Sequence, residues 1–328
     1  SNGIVFTAFP AHANWSSAPG FNEKTKGKYR PSHVLIALEL KTGKIKWEKW
    51  IDGDIIMAPV AKDNELHLVS FPGTYYVVDQ ATGEFKSAQR MRGTSAPTFG
   101  QNGIVMSRRS DNLQIDGAAR ESIVTYNENA SKWNEGYIRE EAEYLDHKVQ
   151  STSLLKTASN ADDAGNGFSG GAPASSGADM AMYNVGQSNV SSLQSFMGSR
   201  TLNKFGFNFN TMGDTVLCTD DVTGDLKWKY GIAGNASMIG GFIGTAPISV
   251  GDNLIIATHG GEIVVIDART GKQKKSYSTG ESIRTTPIAV NGWIYVGTIN
   301  GKIIGINTND KSITGWPMMG KNVQHSNS

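Results

Sequence analysis

Runs of alternating apolar and polar residues recur along most of the chain. Those at 66–70, 253–258 and 293–298 are rich in Leu, Ile and Val, and a short Gly-containing connection separates each from a second run at 75–78, 263–266 or 303–306. Alternation with a period of two over four to eight residues is typical of half-buried β-strands. The pattern therefore predicts paired antiparallel strands and an all-β protein.

A recurrent turn, with an acidic residue three places before Thr-Gly, follows these strand pairs. It begins at Glu39, Asp79, Asp220 and Asp267, and a degenerate copy begins at Asn307. A side-chain oxygen at the first position can accept backbone N–H bonds, and Gly supplies a left-handed conformation. We therefore expect a tight hairpin at each copy.

The spacing of these turns defines a repeat. Gly43 and Gly83 are 40 positions apart, Gly224 and Gly271 are 47 apart, and Lys311 follows Gly271 by 40. Four predicted strands in a repeat of about 40 residues are typical of a β-propeller blade. The predicted fold is therefore an all-β propeller of four-stranded antiparallel blades. Six blades can be located, at about 1–52, 54–92, 94–138, 196–233, 239–280 and 284–316. A total of seven or eight blades is also compatible with the sequence.

Prolines mark the start of four blades. Pro59, Pro97, Pro247 and Pro287 each stand between Ala or Thr and a β-branched residue. Proline has no N–H to donate to a sheet, so each is expected to be the first residue of an inner strand. Blade one begins without such a proline. Either the chain was processed from a longer precursor or another segment, such as 322–327, completes that blade.

The chain is interpreted as one propeller domain, 1–328, with two insertions and a tail. One insertion lies within blade one at about 12–30, and the other, rich in Ser, Gly and Ala, lies at about 139–195. Such a composition has too few periodic apolar residues for a core, which favours a long loop. The tail, 317–328, is predicted to help close the propeller.

Composition narrows the functional classes. The chain has 31 basic and 30 acidic residues and a net charge of +1, so nothing favours nucleic acid as a partner. No apolar stretch reaches the roughly 20 residues that a transmembrane helix needs. The single cysteine, Cys218, is expected to be a buried, inert thiol. The six histidines fall at no zinc-like spacing, and no metal site is predicted.

Propeller geometry predicts where a ligand site would lie. Inner strands converge on the axis, so polar residues at their ends can meet although they are distant in sequence. The same residues could instead cap strands and bond to neighbouring backbone. The axial candidates are Arg200, Asn208, Asn210, His259 and Arg284, the loop candidates are His12 and Trp15, and no catalytic residue is predicted.

The repeat resembles a known family. Tyr-Val-Gly-Thr, Asn-Gly-Lys and Asp-x-x-Thr-Gly-Lys followed by Trp, best seen at 285–311, 246–277 and 34–50, resemble the PQQ-like (quinoprotein) β-propeller repeat. The resemblance implies a periplasmic, extracellular or cell-surface protein. It also implies one of two activities, because some members are quinoprotein dehydrogenases, while others, similar to the assembly lipoprotein BamB, lack the cofactor and act as scaffolds.

Within this family the residues favour the scaffold branch. The segment from Ala8 to His12 stands where the alcohol-oxidising members have a Gly-Asn sequence, and their vicinal cysteine pair is absent. The resemblance thus implies a non-catalytic, extracytoplasmic protein-interaction or assembly subunit, associated with the envelope or cell surface, that binds another protein and no cofactor. One alternative is a quinoprotein-like or metal-dependent oxidoreductase with PQQ and calcium in an axial site. The other is a glycan-binding propeller that uses exposed aromatic residues such as Trp15.

Overall fold

The computed structural model describes most of the repeat region. The described residues are 3–10, 33–100, 103–109, 120–127, 132–140, 201–212, 214–233, 244–283, 285–310 and 315–316. Within these ranges the chain forms strands and turns, and no helix occurs. No helix among them is therefore long and apolar enough to cross a membrane.

The strands form six sheets in which strands adjacent in sequence are paired. The first sheet contains β1 (Ile4–Pro10), β2 (His33–Glu39) and β3 (Ile45–Ile51), and the second contains β4 (Val60–Lys62), β5 (Glu65–Val69), β6 (Thr74–Asp79) and β7 (Phe85–Arg90). The third contains β8 (Thr98–Phe99), β9 (Gly103–Arg109), β10 (Arg120–Asn127) and β11 (Lys132–Glu140), and the fourth contains β12 (Leu202–Lys204), β13 (Phe207–Met212), β14 (Thr215–Asp220) and β15 (Leu226–Gly231). The fifth contains β16 (Ile248–Val250), β17 (Asn253–Ala257), β18 (Glu262–Asp267) and β19 (Gln273–Ser278), and the sixth contains β20 (Ile288–Val290), β21 (Trp293–Gly297) and β22 (Ile303–Asn307).

Apart from β23, which joins the fifth sheet, and the last two residues of β11, the strands of each sheet fall within one predicted blade, in the same order, which confirms the all-β, repeated-meander prediction. Among the described residues the first sheet has three strands, and the segment 322–327, the candidate for completing blade one, lies outside them. The sixth also has three, whereas the repeat predicted four. The next described strand, β23 (Gly315–Trp316), pairs with β16 of the fifth sheet, with Trp316 opposite Ser249.

The acidic turn has the predicted geometry. The Asp79 Oδ1 atom accepts the backbone N–H groups of Ala81 and Thr82, both at 2.9 Å. Gly83 then adopts a φ of 73° and donates its N–H to the Asp79 carbonyl at 2.9 Å. These bonds lower the pKa of the Asp79 carboxyl, the bonds from Thr82 being the main cause. The copies at Asp220 and Asp267 repeat the same bonds.

The proline prediction needs a correction of one residue. The strands begin at Val60, Thr98, Ile248 and Ile288, so each proline immediately precedes its strand. The first strand residue can donate its N–H to the sheet, which a proline could not.

A second turn recurs that the sequence analysis did not identify. It joins the second and third strands of a sheet, and its first residue, Ser or Thr, accepts the backbone N–H of the fifth. The distances are 3.2 Å from Thr74 to Ser70 Oγ, 3.1 Å from Glu262 to Thr258 Oγ1, and 3.2 Å from Lys302 to Thr298 Oγ1. The fourth residue is always Gly, with φ between 76° and 84°.

Tryptophans from outer strands connect neighbouring sheets. The Trp47 indole of β3 lies against Gly83 in the turn of the next sheet, and its Nε1–H donates to the Gln80 carbonyl at 2.9 Å. Trp228 of β15 lies in the same way against Gly271 and donates to the Ala268 carbonyl at 3.1 Å. The absence of a Cβ at these glycines allows the indoles to approach closely.

Two compact units can be distinguished, one drawn from Ser1–Ala96, Arg108–Glu121 and Arg139–Met197 and the other from the remainder. In the first unit, apolar side chains of β1–β3 pack against those of β4–β7. In the second, the β12–β15 and β16–β19 sheets share one buried cluster, and the β16–β19 and β20–β22 sheets share another. The interpretation as a single domain stays a prediction. The insertion at 12–30, the tail and nearly all of the insertion at 139–195 lie outside the described residues.

Truncation after Gly315 tests whether the C-terminal segment contributes to the fold. The change removes Trp316, whose backbone pairs with Ser249 at the edge of β16. We expect a lower Tm than that of the full chain, because this edge of β16 loses its partner. Thermal unfolding followed by circular dichroism measures the difference. An unchanged Tm would show that this segment does not close the sheet.

Candidate functional site

Two axial candidates, Asn208 and Asn210, lie on β13 and belong to a buried polar network. Asn203 of β12 donates from Nδ2 to Asn208 Oδ1 at 2.7 Å, and Asn210 donates from Nδ2 to Thr201 Oγ1 at 2.7 Å. The Thr201 carbonyl accepts a bond from the Thr98 hydroxyl at 2.7 Å. Asn208 is 1% exposed and Asn210 is 0% exposed. These amides therefore stabilise the sheet contact from within rather than facing solvent.

Asn208 and Asn210 lie on one face of the fourth sheet, and a cluster of apolar side chains lies on its other face. Leu202 and Phe209 belong to the cluster shared with the fifth sheet, whereas Leu217, which pairs with Asn210, packs with Val105 and Ile123 of the third sheet. Gly100 also lies against Asn203, since a Cβ there would approach Nδ2 to 2.8 Å. The contact between the third and fourth sheets is thus partly polar.

Two polar atoms in this contact stand out. Asn208 Nδ2 and Thr219 Oγ1 are buried and have no hydrogen-bond partner among the described residues, and the two residues are directly paired across β13 and β14. Buried polar groups of this kind usually bind an internal water molecule. The sequence signal that could have identified the network is the Asn-x-Asn spacing on one face of a strand.

His259 is the second residue of the recurrent Thr-initiated turn and is half-buried. Phe71 and Ile299 occupy the same position in the turns of the second and sixth sheets, with exposures of 2% and 54%. The position therefore accepts apolar and polar residues of differing exposure. The other candidates, Arg200, Arg284, His12 and Trp15, lie outside the described residues.

The hairpin turns form the most regular accessible surface. In five sheets the residue after the acidic (or Asn) position of the turn donates its N–H to a backbone carbonyl in another loop of the same sheet. That loop directly precedes the first or second strand. The bond holds the acidic turn and this loop together as two paired tips. We call these paired tips the turn rim of each sheet. The bonds are Leu40 to Gly3 (2.8 Å), Gln80 to Asn64 (2.9 Å), Asp221 to Gly206 (3.1 Å), Ala268 to Asp252 (2.9 Å) and Thr308 to Gly292 (2.9 Å).

Burial shifts the pKa values of His67 and Cys218 in opposite directions. His67 of β5 is 4% exposed, and burial lowers its pKa to about 4, although the Glu65 carboxylate opposes the shift. Its Nδ1 lies 2.7 Å from the Tyr75 hydroxyl and its Nε2 lies 3.4 Å from Glu65 Oε2. Burial raises the pKa of the Cys218 thiol to about 12, which leaves it protonated and a poor nucleophile.

Comparison with known proteins adds the repeat family. Residues 212–316 match the family model described as outer membrane protein assembly factor BamB, the second PQQ-repeat model. The match covers about a third of the chain and shows that this segment is similar to PQQ-like β-propeller repeats. The matched residues run from the end of β13 to β23, so they include two of the acidic turns. The sequence matches none of the curated proteins.

Solved structures with similar folds include three propellers of different kinds. The C-terminal WD40 domain of Sif2 is 10% identical, with a TM-score of 0.51, covering 84% of this chain and 61% of that one. BamB from Moraxella catarrhalis is 10% identical, with a TM-score of 0.42, covering 83% and 78%. A europium-containing methanol dehydrogenase is 12% identical, with a TM-score of 0.42, covering 85% and 52%. The likeness to Sif2 supports the propeller fold alone. The chain spans only about three fifths of the Sif2 structure and half of the dehydrogenase.

Similarity to PQQ-like repeats makes it necessary to ask whether the described residues could hold a quinone with calcium. Among the described residues, no three His, Cys, Asp or Glu side chains converge as metal ligands. The amide groups of Asn208 and Asn210 bond to Asn203 and Thr201, and Cys218 has no second cysteine in the chain. In the part of the chain that the structure describes, the two asparagine amides are thus engaged within the protein.

Proposed function

We propose that this protein is a non-catalytic propeller that binds other proteins and acts as an assembly or scaffold subunit outside the cytoplasm. The match of 212–316 to the model of an outer membrane assembly factor is the observation that carries the proposal. Envelope or cell-surface association and a protein partner belong to the same proposal.

The chemistry of the described residues supports this function. The buried polar side chains of β13 bond within the protein, and the described titratable groups show no convergent metal site. By contrast, each turn rim is held by backbone bonds and exposes side chains, for example Leu40 at 65%. A rigid surface with varied exposed side chains suits protein recognition, because little conformational entropy is lost on binding.

Site-specific photo-crosslinking tests the proposal. A benzophenone amino acid placed at Leu40 on the turn rim is expected to form a discrete adduct with one protein of the source organism's envelope fraction. The same group at Lys275, on the outer strand β19, provides a control from another surface. The captured protein would then be purified and titrated against the full chain by calorimetry. Absence of saturable binding by every captured protein would contradict the scaffold function.

Reconstitution tests the absence of a quinone. The full chain, incubated with PQQ and calcium and passed through a desalting column, is expected to elute without quinone absorbance and without stoichiometric calcium. This expectation is supported by the described residues, among which no three His, Cys, Asp or Glu side chains group as metal ligands. Stoichiometric retention of both would favour the oxidoreductase alternative.

Fractionation of intact source cells, with protease accessibility as the readout, tests the extracytoplasmic location.

A further inference from the structure

One turn rim contains a residue that the backbone conformation disfavours. Two-residue loops connect the first and second strands of four sheets, and the first loop residue always has a positive φ. These residues are Asp63 (51°), Phe205 (59°), Gly251 (56°) and Asn291 (50°). Asp, Gly and Asn are the residues that such turns favour, whereas a bulky aromatic residue with positive φ is an outlier. Phe205 is therefore the exception within this chain's own repeats.

Burial does not explain why phenylalanine occupies this position. The Phe205 side chain is 37% exposed at the tip of the β12–β13 hairpin. A left-handed conformation is unfavourable for a residue with a Cβ, and Gly206 directly follows with a φ of 76°. Backbone strain retained at an accessible surface is a reason to look for a binding role.

Two cations lie over the Phe205 ring. The Lys204 Nζ atom is 4.7 Å from the ring centroid and the Arg269 guanidinium carbon is 4.6 Å from it. Lys204 is also held by the neighbouring sheet, because Nζ donates to Ser249 Oγ at 2.9 Å and to the Gly251 carbonyl at 2.6 Å. Lys204 thus fixes the hairpin tip, while Arg269 is exposed.

Arg269 is placed by a well-ordered turn. Its backbone N–H donates to Asp267 Oδ1 at 3.1 Å, and Asp267 also pairs with Lys274 at 2.8 Å. That pairing with Lys274 is the largest cause that lowers the pKa of Asp267 to about 2. A cation–π contact uses the face of the ring and no lone pair, so the N–H donors of the guanidinium can still bind an acceptor. An arginine held in this way is preorganised for a carboxylate.

An exposed apolar side chain belongs to the acidic turn that is hydrogen-bonded to the Phe205 hairpin. The Gly206 carbonyl accepts the N–H of Asp221, and the next residue, Val222, is 42% exposed. Val222 holds the same position in its acidic turn as Arg269 does in the next one. The turn rims of the fourth and fifth sheets therefore carry an exposed apolar side chain, an exposed aromatic ring and an exposed cation.

We propose that Val222, Phe205 and Arg269 form a docking site for an acidic segment of a partner protein. Arg269 binds a carboxylate of that segment, and an adjacent apolar side chain packs on Phe205 and Val222. This inference rests on the proposed scaffold function and names the chemistry of its partner.

The charges around the site favour one carboxylate over a polyanion. Asp220, Asp221, Asp225 and Asp252 belong to the same two turn rims. A nucleic acid needs several cations along its phosphate backbone, and these carboxylates would repel it. A single carboxylate beside an apolar side chain needs only the arginine and the apolar surface that the site provides.

Fluorescence anisotropy of the full chain with a labelled, otherwise uncharged peptide that carries one Glu next to Phe tests the site. The comparison peptides replace Glu by Gln or by Lys. We expect the Glu peptide to bind more tightly than both, and Arg269→Gln and Phe205→Gly each to weaken its binding by roughly tenfold, the equivalent of about 1.4 kcal/mol. Lys275→Gln removes one positive charge from β19 and is expected to leave binding unchanged.

Phe205→Gly also separates binding from folding. Glycine accepts a positive φ without strain, so the Tm of this variant is expected to equal or exceed that of the wild type while binding weakens. A purely structural role for Phe205 predicts the opposite, a lower Tm.

Three outcomes would overturn the site. They are equal binding of the Gln and Glu peptides, unchanged binding in Arg269→Gln, and displacement of the Glu peptide by a single-stranded oligonucleotide at equal concentration. None of them bears on partner capture at Leu40, so the scaffold function can stand if the site fails. Loss of capture at Leu40 while the Glu peptide still binds would contradict the scaffold function and leave the peptide site standing.

Discussion

Replacing Gly83 by alanine is expected to lower the free energy of unfolding by about 3 kcal/mol, whereas Gly43→Ala is expected to lower it by only about 1 kcal/mol. The two glycines occupy the same position in successive acidic turns, with φ values of 73° and 69°. The backbone penalty for a residue with a Cβ is therefore the same at both.

The difference comes from the surroundings. A Cβ at Gly83 would lie 2.7 Å from Cδ2 of Trp47, whereas a Cβ at Gly43 would have nothing within 4 Å. Trp47 is only 8% exposed and its Nε1–H bonds to the Gln80 carbonyl, so the indole cannot move away without losing packing and a hydrogen bond. Overpacking of this kind typically costs 1–3 kcal/mol.

Urea unfolding of the two single variants, followed by tryptophan fluorescence and circular dichroism, measures the difference. The double variant Trp47→Ala with Gly83→Ala provides the control. Removal of the indole also removes the clash, so alanine at 83 should then cost about as much as at 43. Equal losses in the two single variants would show that the tryptophan does not restrict this turn.

Acidification from pH 6.5 to pH 4 is expected to destabilise the protein through His67 by about 3 kcal/mol. Burial lowers the pKa of this imidazole to about 4, below its usual value of 6.5. In this pH window the unfolded chain binds a proton that the folded protein excludes. Stability therefore rises with pH across the window and becomes independent of this group above pH 6.5 and below pH 4.

Burial accounts for the neutral form of His67, and its contacts select the tautomer. Nε2 faces the Glu65 carboxylate, which favours a proton on that nitrogen, so the Tyr75 hydroxyl donates to Nδ1. His33 is also buried, and burial lowers its pKa against the opposing effect of Asp54 and Asp52. Part of the pH dependence will consequently remain when His67 is replaced.

The experiment compares the wild type with His67→Gln. Urea unfolding at several values between pH 7.5 and pH 4.5 should show a slope smaller by up to one proton in the variant. Nuclear magnetic resonance titration of the imidazole protons gives the pKa directly. A pKa for His67 near 6.5 in the folded protein would contradict the expectation.

The repeat could be predicted because its determinants are local. The oxygen of Asp79, the N–H groups that it binds and the left-handed Gly83 all lie within five consecutive residues. Sheet boundaries follow from these turns, since each one ends a third strand and begins a fourth. The missing proline of blade one likewise agrees with the three strands that are described in the first sheet.

The candidate site was less predictable because burial depends on the neighbouring sheet. Asn208 and Asn210 are polar residues in a strand, and the sequence is compatible with either solvent or a buried contact. Thr98, more than 100 positions away, helps to form their network through Thr201. Similarly, Phe205 becomes notable only when its φ and the positions of Lys204 and Arg269 are known.

The amino-acid sequence by itself determined the all-β class, the hairpin turns and the order of the repeated meanders. These features depend on interactions within about 40 residues, and the repetition makes each copy support the interpretation of the others. Only the tertiary structure decided that β23 pairs with β16, that Asn208 and Asn210 bond inside a sheet contact, and that Arg269 lies over Phe205. Those contacts join residues from different sheets or strands, and their energies depend on distances and burial that no local pattern encodes.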